Sequence, residues 1–217
     1  MEIKPIADYR GDFPDKFGIP RQSLVVPEIE GLVVFRPGFR IPEAVRGLEG
    51  FDFCWLIWGF SMNEGEWSPT VRPPRLGGNE RVGVYASRSP FRPNSLGLSC
   101  VRIVGIEDGP AIRVKGADLA DGTPIYDIKP YVPFTDAHSD AKAGFTDSKG
   151  WKRLEVVFDD GVDLDGIDRD VLAAILAEDP RPHYQDSPDR VYGMSFAGHQ
   201  IKFTVTGTLL RVISVLK

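Results

Sequence analysis

The chain has 217 residues, 42% of them hydrophobic and 26% charged, and a formal net charge of −5. That length and balance suit one large domain or a domain with a small appendage, able to bury roughly 70% of its unfolded surface. Its longest strongly apolar run, 53–60, is far short of the roughly 20 residues that cross a bilayer, and Cys54 and Cys100 are too few for a disulfide framework or a four-cysteine zinc site. Residues 1–6 show neither a basic nor an apolar leader region, so the expected compartment is the cytoplasm, with no membrane partner.

Eighteen prolines and 23 glycines punctuate the sequence and favour short strands and ordered loops over long helices. In chain order, strands are expected over 32–35, 53–59, 83–86, 98–106, 111–115, 125–128, 153–158 and 201–211, with a bulge possible in the run holding Val101, Ile103 and Ile106. Two segments read as helix. One is short, over 42–48; the other, over 168–177, opens on Asp168 as a cap and sets Val171, Leu172, Ile175 and Leu176 on one face. The polar, small-residue stretch 136–150 reads as a hinge between a β-rich domain (1–140) and a smaller α+β domain (151–217). The expected fold class is therefore mainly β with a small α+β appendage.

Charge is unevenly spread. Residues 1–68 carry 7 Lys/Arg against 11 Asp/Glu, residues 69–102 carry six arginines against Glu80, and residues 103–217 carry 13 against 19. The acidic total argues against indiscriminate polyanion binding, while the arginine cluster leaves room for an anionic ligand or an RNA segment.

Four windows hold candidate chemistry. In 83–99, Pro90 and Pro93 stiffen a loop holding Arg88 and Arg92, Asn94 suits a turn, and Gly97 permits close backbone approach. It reads equally as a rigid structural loop with solvated arginines. In 118–134, Asp121-Gly122-Thr123-Pro124 marks a tight turn, and Asp127 and Lys129 share a strand face; a hairpin with a surface ion pair is the plainer reading. The turn 17–22 offers Arg21 and Gln22. In 64–78, Trp67 offers a stacking surface and Arg72 and Arg75 suit phosphate, although a structural tryptophan under a proline-rich loop fits as well. A dinucleotide glycine fingerprint, a P-loop, a zinc-protease motif and a serine elbow are all missing. His138, His183 and His199 are scattered, so no metal site is expected. Cys100, set in an apolar strand pattern, reads as a core residue.

Taken together, Arg-Pro-Pro-Arg-Leu-Gly-Gly (72–78), Ala-Ser-Arg-Ser-Pro-Phe-Arg-Pro-Asn (86–94) and Asp-Gly-Thr-Pro with Asp-Ile-Lys-Pro-Tyr (121–131) closely resemble the TsaA-like family of TrmO-type tRNA methyltransferases. Val-Arg-Gly-Leu-Glu (45–49) and Asp-Pro-Arg-Pro-His-Tyr (179–184) extend the resemblance over nearly the whole chain. It implies a compact antiparallel β-barrel that binds S-adenosylmethionine without a Rossmann sheet, works as a homodimer with the cofactor site near the subunit interface, and methylates N6 of N6-threonylcarbamoyladenosine, the base 3′ of the anticodon of threonine tRNA.

By the same resemblance, cofactor contacts fall on Pro20, Arg21, Gln22, Phe60, Ser61, Arg88, Leu98 and the stretch Leu119, Ala120, Asp121, Gly122 and Thr123. Three positions depart from the family pattern: Ser95 replaces a frequent proline, Phe60-Ser61 a polar pair, and His183 a common alanine. A ureido-type acceptor nitrogen must lose its proton, for which Asp127, Asp121 and Tyr131 are candidates by position; Arg88 or Arg92 suits the threonyl carboxylate. Arg72, Arg75, Trp67 and Arg181 are the expected RNA contacts. Alternative readings are a methyltransferase acting on another nucleoside or a small molecule, and a non-catalytic module that binds S-adenosylmethionine or RNA.

Overall fold

Strict in–out alternation over several short strands drives a sheet to close on itself, because only closure hides one whole face and removes both edges. The computed structural model describes residues 2–63, 65–73, 76, 80–147, 153–181, 187 and 190–217. Six strands, β1 (Ala7–Gly11), β2 (Glu30–Phe35), β3 (Phe53–Gly59), β6 (Leu96–Glu107), β7 (Ala111–Lys115) and β8 (Pro124–Pro130), form a closed antiparallel barrel in the order β1-β2-β7-β6-β3-β8. Closure comes from Ala7 opposite Ile125 and Asp8 opposite Pro124. Between these strands lie α1 (Pro42–Val45) and a two-stranded ribbon of β4 (Thr70–Val71) and β5 (Val82–Gly83).

The barrel core is Tyr9, Val33, Leu56, Trp58, Val101, Ile112, Val114 and Ile125 with their neighbours. Two large rings fit only because glycines face them. A β-carbon on Gly31 would lie 2.1 Å from the Tyr9 hydroxyl, and one on Gly97 would lie 2.3 Å from Cε2 of Trp58. The close approach expected at Gly97 is thus made by the Trp58 ring.

A second unit follows α2 (Pro133–Asp136). Strands β9 (Glu155–Phe158), β10 (Tyr192–Phe196), β11 (His199–Thr206) and β12 (Leu209–Leu216) form a sheet in the order β10-β11-β12-β9, with β12 and β9 parallel. Helix α3 (Arg169–Ala177) buries Leu172, Ile175 and Leu176 in the same core as this sheet. The Asp168 side chain accepts hydrogen bonds from the Asp170 and Val171 amides, as an N-cap should. This core also takes in Phe13, Val26 and Ile29 from the connection between β1 and β2. Burying each such side chain contributes about 1.5–3 kcal/mol, so the second core leans on the N-terminal chain.

Several expected elements need correction. The strand over 83–86 is only Val82–Gly83, followed by a 3-10 turn, Val84–Ala86. The helix over 42–48 stops at Val45, since Gly47 at φ 89° leads into a separate 3-10 turn, Leu48–Gly50. The run 201–211 is two strands folded at Gly207, whose φ is 61°. Strands β1 and β10 were not expected: β1 is short and carries Asp8 and Arg10 on its outer side. The bulge in β6 is present, between Ile103 and Gly105.

Candidate functional site

In an antiparallel barrel, strand ends alternate between two rims. One rim collects the ends of β1 and β3, the beginnings of β2, β6 and β8, and the turn from β7 to β8. Over it runs the segment 18–24, pinned where the Leu24 amide donates to Gly116 O at 2.8 Å. The proline-stiffened loop 84–95 closes the same rim, with the Phe60 amide donating to Ser95 O at 3.0 Å.

Most of the expected cofactor residues meet here. Arg88 Nη1 donates to Gln22 Oε1, joining two segments 66 residues apart. Phe60 lies edge-on to Trp58, with ring centroids 4.3 Å apart, and Ser61 is exposed beside it. Leu98 points outward from β6 and is 52% exposed. Leu119 and Ala120 are buried. The turn that follows is held from within: the Asp121 amide donates to Phe13 O, that of Gly122 to Tyr9 O, and that of Thr123 to Ala120 O.

Pro20 and Arg21 face another way. With Phe17, Ile175, Glu178 and Asp179 they line a cleft of about 270 Å³ between the N-terminal segment and the end of α3. Arg21 Nη2 donates to Asp179 O at 3.4 Å, and burial lowers the guanidinium's pKa against the pull of Asp179 and Glu178. Arg181 sits close by, its guanidinium donating to both carboxylate oxygens of Asp179 at 2.8 and 3.0 Å.

The three candidate bases lie apart. Asp121 pairs with Arg10 at 3.3 Å and accepts from the Gly11 amide. Asp127 pairs with Lys129 at 3.0 Å on the outer face of β8, so these two charges do share a face. Tyr131 packs its ring against Phe53 and Trp55. Leu98, Ile57 and Asp127 stand opposite one another across β6, β3 and β8, which puts Leu98 and Asp127 roughly 10 Å apart on one outer face. Arg92 donates to the carbonyls of Val84 and Ser87, at 3.0 and 2.7 Å, and so braces its own loop. Trp67, 53% exposed, and Arg72 are at the surface of the 60–95 region, as are Tyr85 (73%) and Phe91. Arg75 and His183 lie outside the described residues.

A polar chain inside the rim went unread in the sequence. Trp58 Nε1 donates to Ser99 Oγ at 2.9 Å, and Ser99 Oγ donates to Asp118 Oδ1 at 2.5 Å. An indole nitrogen can only donate, which fixes the direction of the whole chain toward the carboxylate. Burial raises the Asp118 pKa, while the Ser99 hydroxyl, the Ser23 amide and the Arg88 charge pull it down. One signal was available: Ser99 is the polar member of the inward series Gly97, Ser99, Val101.

Residues 9–137 match the family model for the tRNA-methyltransferase O N-terminal domain, and residues 163–217 that for the TrmO C-terminal domain. The tRNA (adenine(37)-N6)-methyltransferase of Escherichia coli (strain K12) is 34% identical over 99% of this chain and 97% of its own. A Pseudomonas aeruginosa protein named as a putative S-adenosylmethionine-dependent methyltransferase, RcsF, is 41% identical over 88% of this chain and 87% of its own. The crystal structure of TrmO from Pseudomonas aeruginosa superposes at a TM-score of 0.83 with 31% identity, covering 100% of this chain and 98% of that one. By its barrel, its second sheet and its agreement with relatives over both, the chain belongs to the TrmO family.

Proposed function

We propose that this protein is an S-adenosylmethionine-dependent methyltransferase that methylates N6 of N6-threonylcarbamoyladenosine, the base 3′ of the anticodon, in threonine tRNA in the cytoplasm. The observation that carries the reading is the convergence of Gln22, Arg88, Phe60 and Leu98 on one rim of a barrel of this family. That rim offers what the cofactor requires: an exposed guanidinium for a carboxylate and apolar surface from Phe60 and Leu98 for an adenine. S-adenosylmethionine supplies a methyl group on a sulfonium, made electrophilic by the positive charge. The protein's share is to hold the acceptor nitrogen in line with that methyl in a dry site and to receive the proton the nitrogen gives up. Of the three candidate bases, Asp127 fits best, because it shares an outer face with Leu98.

That outer face also carries the exposed Val104, and pairing it with a second copy would bury Leu98 and Val104 and dry the site. The working unit on this reading is a homodimer. Trp67, Tyr85 and Phe91, with Arg72, supply stacking surfaces and charge for a splayed anticodon loop. The test is to incubate protein and S-adenosylmethionine with bulk tRNA from cells with and without the threonylcarbamoyl modification, then digest and weigh the nucleosides. Methylated threonylcarbamoyladenosine is expected from the modified tRNA alone. Cofactor binding with no such product would move the acceptor to another molecule.

A further inference from the structure

The proposed function uses Arg88 and Gln22 but leaves unexplained why a carboxylate sits behind them. Ser99 is 1% exposed, and its hydroxyl, already accepting from Trp58, needs only an acceptor for its proton. An asparagine oxygen would serve it as well as an aspartate. The Trp58–Ser99 chain therefore needs no charge at its end, and partial burial makes that charge costly. What faces Asp118 explains it. Gln22, which receives the Arg88 hydrogen bond, is the chain neighbour of Ser23, whose amide favours the ionised form of Asp118. The next residue, Leu24, is tied to Gly116, where an added β-carbon would lie 3.3 Å from the Leu24 Cα and 2.6 Å from its Cδ2. The segment 22–24 is thus clamped along 116–118, and Arg88 is the charged neighbour that favours an ionised Asp118.

We propose that Asp118, anchored through Ser99 to Trp58 and set beside the 22–24 segment that Leu24 ties to Gly116, is the positioning residue that fixes the Gln22–Arg88 pair so that Arg88 presents its guanidinium to a ligand carboxylate. The proposal rests on the methyltransferase reading. That reading provides two carboxylates, the methionyl group of the cofactor and the threonyl group of the modified base. Asp118 touches neither; it sets the direction and charge balance of the arginine that does. Bidentate recognition of a carboxylate depends on the plane of the guanidinium, which an exposed arginine does not hold without such a brace.

The experiment compares Asp118→Asn with wild type by titration with S-adenosylhomocysteine and with 5′-methylthioadenosine, which lacks the amino-acid end, together with a thermal melt. Asparagine keeps the acceptor for Ser99 and removes the charge. The expected result is a Tm at or above wild type, a loss of about tenfold in homocysteine-ligand affinity, the size of one misaligned charge-assisted hydrogen bond, and no change for methylthioadenosine. Unchanged binding of both ligands with a rise of about tenfold in KM for threonylcarbamoylated tRNA, but not for unmodified tRNA, assigns the carboxylate to the substrate and upholds the proposal. Equal losses for both ligands, or no loss in either arm, would overturn it. Ser99→Ala, which leaves the carboxylate but cuts it from Trp58, repeats the comparison should Asp118→Asn fail to fold, with a loss of about threefold expected. Failure of the wild-type protein to bind either ligand is a separate outcome, which removes the methyltransferase reading and the proposal with it.

Discussion

Two tryptophans on β3, three residues apart and on opposite faces of the barrel, each send an indole N–H toward a carboxylate, and the two carboxylates respond in opposite directions. Inside, Trp58 reaches Asp118 through Ser99, and burial raises the acid's pKa despite its donors and Arg88. Outside, Trp55 Nε1 donates directly to Asp136 at 3.0 Å, the Val132 amide adds a second bond at 2.9 Å, and the pKa falls. Water separates the cases. The outer carboxylate keeps its hydration and gains two donors, so its charge stabilises the start of α2; the inner one gives up hydration, and only Arg88 and its bonded neighbours offset the loss. The fold uses the outer acid for stability. It carries the inner one at a cost, as expected of groups retained for a site.

The largest effect expected from this contrast comes from the rings themselves. Trp58→Ala removes a buried ring and leaves Ser99 without its donor, and should destabilise the protein by about 3–5 kcal/mol in urea unfolding. Trp55→Ala, at a half-buried outer position, should cost about 1–2 kcal/mol. Equal losses would show that the two faces are not energetically distinct. The next effect uses glycines of a single strand. Gly97→Ala drives a β-carbon into the Trp58 ring and should cost about 1–3 kcal/mol, whereas at Gly105 an added β-carbon meets nothing within 4 Å and the same change should be near neutral. If Gly97→Ala left both stability and homocysteine-ligand affinity intact, the Trp58 ring would not be a fixed anchor for the rim.

How much of this was legible beforehand depended on the range of the interaction. Strands 53–59 and 111–115 were read with the limits the structure gives them, because apolar alternation is a local signal. Segment 83–86 misled because Val84, Tyr85 and Ala86 look strand-like, yet they turn in a 3-10 helix once β5 ends at Gly83. Strand β10 was hidden for a related reason: Tyr192, Met194 and Phe196 alternate inward, but the segment is only five residues long and follows an irregular polar stretch. At the site, Arg88 and Gln22 were singled out by motif, not by any local pattern that predicts a bond across 66 positions. Trp58, Ser99 and Asp118 are spaced by 41 and 19 residues, and only barrel closure makes them one chain. Ser99, polar on an inward face, was the one member whose placement was a local irregularity.

The smallest effect is the most direct test of the contrast, because it reads the two acids in opposite senses. Asp136 has a folded pKa below its unfolded value, so its contribution is complete above the unfolded value near 3.9 and is lost as pH falls through the folded pKa. Asp118 has a folded pKa above its unfolded value, so its contribution is greatest below that unfolded value and is lost as pH rises through the folded pKa. Asp136→Asn should therefore lower Tm at neutral pH and converge on wild type as the solution is acidified. Asp118→Asn should do the reverse, matching wild type in acid and equalling or exceeding it at neutral pH. The measurement is a series of thermal melts on both variants from neutral pH down to about pH 2, through and below the ordinary carboxylate range. Two difference curves with the same slope against pH would mean that the inner carboxylate is as well solvated as the outer, and the cost assigned to holding a charge behind Arg88 would vanish. Opposite slopes would place that cost on Asp118 itself, since each variant differs from wild type by a single carboxylate whose tryptophan partner is left in place.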